Sequence, residues 1–293
     1  MRGKMDGSVR TTCPYCGVGC GIEAKPDGAG GASVAGDARH PSNFGRLCSK
    51  GSALGETLGL ETRLLSPRIG DRDVGWDAAL DHVAGELQRI RTEHGPGAIA
   101  FYLSGQLLTE DYYVANKLAK GFIGTPHVDT NSRLCMASTV AGHRRAFGAD
   151  VVPQSYADLD AADLVVLAGS NAAWCHPILY QRIQAARGTR GTRVVNIDPR
   201  RTATAEGADL QLSLRPGSDV VLWAGLLVWL ADHGGFDWRT IGDHTSDLPK
   251  ALADAREIAG SVAAVAAATD LAIPEIERFY DWWTATPRVV SCF

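Results

Sequence analysis

Residues 11–20, TTCPYCGVGC, decide how the N-terminal part of this 293-residue chain is organised. Together with the cysteine of CSKG (48–51), this stretch gives the spacing C-x2-C-x3-C-x27-C. Cys13 and Cys16 can chelate one metal centre from a single turn, Cys20 reaches another corner, and a long loop returns Cys48 as the fourth thiolate. The pattern favours a [4Fe-4S] cluster, and a cluster implies electron transfer.

A structural zinc site is the alternative, because four cysteines also satisfy tetrahedral zinc. Zinc modules usually combine two C-x2-4-C pairs, whereas Cys48 stands alone after 27 intervening residues. Gly17, Gly19 and Gly21 let the backbone approach a metal centre and turn its amides toward the sulfurs. We therefore favour a cluster, and we interpret residues 1–62 as a small domain organised by a metal rather than by apolar area.

Composition narrows the class of protein. The net charge is −4 and no basic run stands out, so a nucleic-acid partner is not expected. The most apolar stretch, 220–231, is shorter than the roughly 20 residues of a membrane-spanning helix, and it predicts a buried core helix instead. The residues before Cys13 lack an apolar export signal and a twin-arginine pair, so we expect a cytoplasmic protein without a membrane partner.

Short apolar segments alternate with helical patterns over residues 63–293. Apolar residues from Trp76 to Ile90 recur at spacings of three or four and predict an amphipathic helix that ends at His94. This alternation predicts an α/β fold of doubly wound, Rossmann-like parallel sheets, in which ligands bind at the polar loops that follow the strands. The predicted buried strands are 98–103, 163–168, 193–197 and 288–292, and further helices are predicted from 109, over 177–186, over 261–268 and from 274.

A further cysteine lies in the segment DTNSRLCMAS, residues 129–138. We predict that Cys135 opens a helix that runs to Phe147, and a helix N-terminus stabilises a thiolate. From this segment alone, a buried and inert cysteine is the simpler interpretation.

Taken together, the motifs indicate a family. TTCPYCGVGC, CSKG, SGQ, DTNSRLCMAS, GSN, IDPRRT and RPGSD, in this order and spacing, resemble the bis-molybdopterin guanine dinucleotide oxidoreductases. DTNSRLCMAS and the TTCPYCGVGCG opening look most like those of the cytoplasmic assimilatory nitrate reductases. The resemblance covers essentially the whole chain but only the N-terminal part of such an enzyme. We therefore expect a chain truncated at its C-terminus, or one polypeptide of a split enzyme whose second polypeptide carries the remaining domains.

The resemblance implies two cofactors, a [4Fe-4S] cluster held by the four N-terminal cysteines and a Mo-bis(molybdopterin guanine dinucleotide). It makes Cys135 the thiolate ligand of molybdenum and places Lys50 between the cluster and the pterin, in an electron-transfer position. Glycine and serine let a backbone approach pyrophosphate, and arginine meets phosphate in a bidentate way. The positions that match pterin contacts are Gln106, Asn131, Gly169, Ser170, Asn171, Asp198, Pro199, Arg200, Gly217, Ser218 and Asp219.

The implied reaction is the reduction of nitrate to nitrite by oxygen-atom transfer, a step of nitrate assimilation. The implied electron donors are ferredoxin, flavodoxin or an NADH-dependent reductase. Two alternatives remain: a formate dehydrogenase of the same family, which the RLCMAS context disfavours, and a non-catalytic iron–sulfur electron-transfer or scaffold fragment. We interpret Cys175 and Cys292 as structural, and His176 as a packing or cofactor-contact residue rather than a metal ligand.

Overall fold

A computed structural model describes residues 7–105 and 107–293 of the chain. These residues form two compact units. The large unit contains residues 7–27, 32–55 and 154–293, and the small unit contains the described residues among 28–31 and 56–153. The N-terminal cysteine segment therefore packs within the same unit as the second half of the chain. The predicted domain boundary between residues 62 and 63 stays a prediction.

The described residues contain short strands and mostly longer helices. The strands are β1 (Val9–Thr12), β2 (Gly21–Pro26), β3 (Ala32–Gly36), β4 (Arg68–Ile69), β5 (Arg72–Asp73), β6 (Phe101–Leu103), β7 (Val128–Thr130), β8 (Leu164–Ala168), β9 (Arg193–Ile197), β10 (Leu210–Leu212) and β11 (Val289–Cys292). The helices are α1 (Ser49–Ser52), α2 (Trp76–His94), α3 (Thr109–Asn116), α4 (Ser132–Cys135), α5 (Ala137–Phe147), α6 (Tyr156–Ala161), α7 (Ala172–Cys175), α8 (Pro177–Arg190), α9 (Ala203–Glu206), α10 (Asp219–Asp232), α11 (Trp238–His244), α12 (Leu248–Ala259), α13 (Val262–Thr269) and α14 (Ile273–Ala285). Two 3-10 turns, Leu54–Leu58 and Pro96–Ala98, and a π-helical segment, Lys117–Ile123, also occur.

A parallel four-stranded sheet organises the large unit, in the order β10-β9-β8-β11. The first four residues of β8 are fully buried, as expected for a parallel strand covered on both faces. One face packs against Leu222 of α10 and Phe279 of α14, and the other against Leu159 of α6 and Ile183 of α8. The prediction of an α/β fold with a parallel sheet covered by helices is confirmed, as are the strands at 163–168, 193–197 and 288–292.

The N-terminal cysteine segment carries a second sheet of antiparallel strands, β1-β2-β3. Ile22 of β2 is buried, while every residue of β1 is exposed. This sheet was not predicted from the sequence, because its strands are four to six residues long and alternate too briefly between polar and apolar positions.

In the small unit, the predicted long helix is present, but its apolar face is not buried. The predicted amphipathic helix is α2, with the predicted end at His94, yet none of its residues is buried and Trp76 is 68% exposed. The predicted buried strand at 98–103 is wrong in part. Pro96 begins a 3-10 turn, so that β6 starts only at Phe101, and Tyr102 is 72% exposed because β6 forms a two-stranded parallel pair with β7.

The prediction that Cys135 opens a long helix is also wrong. Cys135 ends the single turn α4, and α5 begins two residues later at Ala137. Met136 separates the two helices because its backbone, with φ −103° and ψ 5°, departs from α-helical geometry. The helices predicted from 109, over 177–186, over 220–231, over 261–268 and from 274 are confirmed. Across the described ranges, no helix combines the length and apolarity needed to span a membrane.

Candidate functional site

Four thiols surround one cavity in the large unit. Cys13 directly follows β1 and Cys20 directly precedes β2, and the Cys13 N–H donates to the Cys20 carbonyl at 2.8 Å. Cys16 lies in the turn between them, and Cys48 is the N-cap residue of α1. The cavity is lined by these four cysteines together with Tyr15, Val18, Leu47, Gly51, Pro177 and Ile178.

The electrostatics of this cavity suit bound metal. Burial, together with the nearby thiols of Cys16, Cys13 and Cys48, raises the pKa of the Cys20 thiol to about 11. Such thiols lose their protons when cationic metal compensates the charge of the thiolates, and soft thiolates are the ligands of iron–sulfur clusters. The thiols line the cavity without converging on one point: within the described ranges, no three or more His, Cys, Asp and Glu side chains are arranged to hold a single metal ion.

Asn43 was not predicted from the sequence. Its side chain anchors the backbone of the segment that carries the four cysteines. Its side chain is 1% exposed and makes three hydrogen bonds. The Oδ1 atom accepts from the Gly21 N–H at 2.9 Å, and the amide group donates to the carbonyls of Gly21 at 3.0 Å and Arg46 at 2.9 Å. Gly21 follows Cys20 directly and Arg46 precedes Cys48 by two residues, so Asn43 links the two halves of the thiol set.

The glycines of this segment have separate roles. Gly19 has a φ of +67°, a left-handed conformation that glycine tolerates. For Gly21 the structure shows a steric reason for glycine. A Cβ atom at Gly21 would lie 2.3 Å from the His40 side chain, so this glycine makes room for His40.

Lys50 lies on the exposed side of α1. Burial lowers the pKa of His176, and the positive charge of Lys50 lowers it further. His176 directly precedes Pro177, which lines the thiol cavity. The electron-transfer role of Lys50 stays a prediction.

The three predicted strand-end loops of the large unit follow neighbouring strands. Residues 169–171 follow β8, residues 198–200 follow β9, and residues 217–219 lead from the end of β10 into α10. Because these strands are parallel neighbours, their carboxyl ends meet at one edge of the sheet, the usual ligand edge of such a fold. Gly169 and Gly217 adopt φ values of +62° and +82°, and the Gly169 N–H donates to the Ile197 carbonyl at 2.7 Å.

Hydrogen bonds stabilise the strand-end loops, but they do not satisfy every buried polar group there. Asp198 accepts the Arg200 N–H at 2.8 Å, and Asn171 accepts the Thr204 hydroxyl at 2.9 Å. Thr202, in the IDPRRT motif, has a buried hydroxyl with no hydrogen-bond partner among the described residues. A buried polar atom without a partner costs free energy, so this loop fits a bound group that would supply one.

Asn131 and Cys135 flank the turn α4 in the small unit. Asn131 is its N-cap residue, and a Cβ at Gly105 would lie 2.8 Å from the Asn131 Oδ1, so Gly105 permits that close approach. Cys135 is exposed, and its thiol donates to the Ser132 carbonyl at 3.4 Å. Gln106 lies outside the described residues. An open cleft of about 570 Å³ adjoins this turn and is lined by Thr130, Ser132, Arg133, Leu134, Met136, Ala137, Val140, Arg144 and Asp150.

The class of protein follows from two family matches. Residues 63–234 match the family described as molybdopterin oxidoreductase, and residues 7–58 match the molybdopterin oxidoreductase Fe4S4 domain. The chain belongs to the molybdopterin oxidoreductase family. The predicted family and its two kinds of cofactor, a molybdopterin and a 4Fe-4S cluster, are thereby confirmed.

Three individual relatives, two nitrate reductases and one formate dehydrogenase, match most of this chain. A nitrate reductase from Klebsiella oxytoca is 53% identical over 97% of this chain and 32% of the relative. A periplasmic nitrate reductase from Desulfovibrio desulfuricans is 40% identical over 72% of this chain and 29% of the relative. The alpha subunit of an F420-dependent formate dehydrogenase from Methanococcus maripaludis is 34% identical over 81% and 35%. The chain thus spans about a third of the length of these relatives.

A solved structure supports the fold. Acetylene hydratase from Pelobacter acetylenicus superposes with a TM-score of 0.85 over 97% of this chain and 40% of that protein. At 22% sequence identity, this likeness speaks for the fold alone.

Proposed function

We propose that this chain is the cluster-bearing part of a molybdenum nitrate reductase that reduces nitrate to nitrite. The observation that carries the proposal is the 53% identity to a nitrate reductase over 97% of the chain. The segment DTNSRLCMAS around Cys135 supports it, because this segment resembles assimilatory nitrate reductases more than formate dehydrogenases.

The large unit would bind both cofactors in part. Cys13, Cys16, Cys20 and Cys48 would hold the [4Fe-4S] cluster, which is supported by their common cavity and the burial of Cys20. The strand-end loops would hold the guanine dinucleotide: the left-handed glycines have no side chain and let the backbone approach pyrophosphate, and the Arg200 guanidinium offers a planar pair of donors to a phosphate.

The small unit would contribute the thiolate of Cys135. When bound, molybdenum supplies the two-electron oxygen-atom chemistry, and the cluster relays single electrons. Cys135 is exposed beside the cleft described above, which leaves its sulfur accessible to a metal. Arg133 and Arg144 line the same cleft, and their charge would attract an anion such as nitrate.

The test is an activity assay on the complete enzyme that contains this chain, purified without oxygen. Reduced viologen supplies electrons, and nitrite formation is measured alongside molybdenum and iron content. We expect nitrite formation that follows the molybdenum content. A protein that holds both metals and forms no nitrite would contradict the proposal.

Formate oxidation is the second candidate, favoured by the 34% identity to a formate dehydrogenase subunit. The same preparation, given formate and an oxidised viologen, tests it directly. Formate-dependent dye reduction without nitrite formation would favour this candidate. Iron without molybdenum, and neither activity, would favour the non-catalytic electron-transfer fragment.

The electron donor and the compartment belong to the same proposal. We propose ferredoxin, flavodoxin or an NADH-dependent reductase as donor and the cytoplasm as location. Replacing viologen by each reduced donor in turn tests the first point. Cell fractionation followed by immunodetection tests the second, and a periplasmic signal would overturn the cytoplasmic location.

A further inference from the structure

We propose that Arg182 of α8 is a positioning residue for the iron–sulfur cluster, because its guanidinium holds the segment before Cys48 directly and the loop between Cys16 and Cys20 through Tyr156. The inference rests on the proposed four-cysteine ligand set and is independent of the substrate. Nothing in the cysteine spacing points to this residue, which lies more than 130 positions after Cys48.

The contacts of Arg182 are those of a buried clamp. Its side chain is only 4% exposed. The Nη1 atom donates to the carbonyls of Pro41 at 2.6 Å and Ser42 at 2.9 Å, while Nε and Nη2 donate to the Asp160 carboxylate at 3.0 and 2.5 Å. A buried charge is costly unless it is paired and hydrogen-bonded, and the planar guanidinium fork meets a carboxylate and two carbonyls at once.

The first arm of this clamp leads to Cys20 and Cys48. Pro41 and Ser42 directly precede Asn43, whose side chain binds Gly21 beside Cys20 and Arg46 near Cys48. Anchoring the backbone just before Asn43 therefore fixes the residue that joins the two halves of the thiol set.

Phe44, the residue after Asn43, shows how strongly this segment is held. Its φ is +46°, a conformation that a bulky residue keeps only when its surroundings impose it. The Arg182 guanidinium lies 5.1 Å from the centroid of the Phe44 ring, within cation–π range.

The second arm leads to the loop between Cys16 and Cys20. The Nη2 atom of Arg182 also donates to the Tyr156 carbonyl at 3.3 Å, and the guanidinium lies 5.4 Å from the Tyr156 ring centroid. The Tyr156 hydroxyl in turn donates to the carbonyls of Val18 at 2.9 Å and Gly17 at 3.3 Å.

Both arms act on the groups that tune a cluster. The reduction potential of an iron–sulfur cluster depends on hydrogen bonds to its sulfurs and on its exposure to solvent, and both depend on where the surrounding backbone lies. Loosening either arm should therefore change the potential and the spectrum of the cluster. A residue with a purely structural role would change the stability of the protein and leave both properties as they are.

The experiment compares Arg182→Lys, Arg182→Met and Tyr156→Phe with the wild-type enzyme and with Arg187→Lys. Arg182→Lys keeps the positive charge but loses the planar guanidinium with its several donors. Tyr156→Phe removes only the hydroxyl. Arg187 is the matched control on the same helix, since it pairs with Asp209 at 2.7 Å and donates to the Gly207 carbonyl. Each protein is purified without oxygen, and iron content, the electron paramagnetic resonance spectrum of the reduced cluster, its midpoint potential and the rate of iron loss to a chelator are measured.

We expect Arg182→Met to lose iron to the chelator about 10- to 100-fold faster than the wild type, the range typical for removing a partner that orients metal ligands. Arg182→Lys should lie between the two, Tyr156→Phe should shift the potential and the spectrum by a smaller amount, and Arg187→Lys should match the wild type. If Arg182→Met does not fold, Arg182→Lys and Tyr156→Phe decide the question.

Wild-type potential, spectrum and iron retention in the folded Arg182 variants and in Tyr156→Phe would overturn the positioning role. A wild-type enzyme without a four-iron signal would instead overturn the four-cysteine ligand set, so the two failures are distinguishable.

Discussion

The two units of this chain use apolar residues differently. In the large unit, apolar helix residues such as Leu222 and Phe279 are completely buried against the parallel sheet. In the small unit, the apolar residues of α2 have the same helical spacing, yet Trp76, Leu80 and Val83 are all exposed. Two of the candidate cysteines differ in the same way, since Cys20 is buried and Cys135 is exposed.

The two units hold their site residues in different ways. In the large unit, the site residues are held by the packing and hydrogen bonds that also stabilise the fold. In the small unit, Asn131 and Cys135 lie on an exposed turn whose side chains contribute little buried area. We therefore expect substitutions in the large unit to affect stability, and substitutions at Cys135 to affect activity with little change in stability.

The largest expected effect is on activity, at Cys135. Replacing Cys135 by serine substitutes a hard hydroxyl for a soft thiolate, so nitrate reduction by the complete enzyme should fall to background. Cys175→Ser is the matched control, because Cys175 is also exposed. Nitrite formation and thermal unfolding are measured for both. Both variants should stay within about 0.5 kcal/mol of the wild type in free energy of unfolding. Full activity in Cys135→Ser would contradict the assignment.

The next effect is on stability, and it compares the two units directly. Phe279→Ala should lower the free energy of unfolding by about 3 to 5 kcal/mol, since it leaves a cavity in the core. Trp76→Ala removes an exposed side chain, so the expected change is within about 0.5 kcal/mol. Denaturant unfolding followed by circular dichroism measures both. Equal losses in the two variants would show that the division between the units is wrong.

A smaller effect is expected at Asn43. Asn43→Ala would remove three hydrogen bonds and leave the buried Gly21 N–H without its Asn43 partner, at a cost of about 1 to 3 kcal/mol, while the Gly21 carbonyl keeps its bond from the Asp37 N–H. Iron content should fall as well. Asn116→Ala in the small unit is the control, since the Asn116 side chain makes one hydrogen bond, to the Tyr112 carbonyl at 3.0 Å. Unfolding and iron analysis are run side by side, and identical behaviour of the two variants would refute a special role for Asn43.

The smallest effect concerns pH and Tyr280. Burial raises the pKa of Tyr280 above its ordinary value of about 10, so the folded state keeps the phenolic proton to a higher pH than the unfolded state. The stability from this group is fully present below about pH 10 and is lost as the pH rises further. Tyr280→Phe should therefore flatten the alkaline fall in stability above about pH 10.

Near neutral pH, the same variant loses the hydrogen bond from the Tyr280 hydroxyl to the Leu222 carbonyl, 2.6 Å long, at a cost of about 1 kcal/mol. Denaturant unfolding at a series of pH values measures both effects. Parallel curves for the two proteins across the alkaline range would exclude Tyr280 as the titrating group.

Local patterns predicted much of the large unit. The runs at 163–168 and 193–197 are continuous and apolar, which is typical of buried parallel strands, and both form the centre of the sheet. The cysteine spacing also predicted four residues that the fold brings to one cavity. These features are encoded by neighbouring residues, and pattern analysis detects them for that reason.

The features that were missed depend on contacts between distant residues. Arg182 meets Ser42 across 140 positions, and Asn43 meets Gly21 across 22. The helix expected to begin at Cys135 failed for a local reason, because the backbone of Met136 interrupts it. The exposure of α2 was not predictable, since helical periodicity reports an apolar face and not whether another element covers it.

The most direct test of the central claim is the metal content of the protein purified without oxygen. The account predicts about four irons with matching acid-labile sulfide per chain, lost together when Cys20 or Cys48 is replaced by serine. One zinc per chain and no iron would contradict the cluster and the electron-transfer role that depends on it.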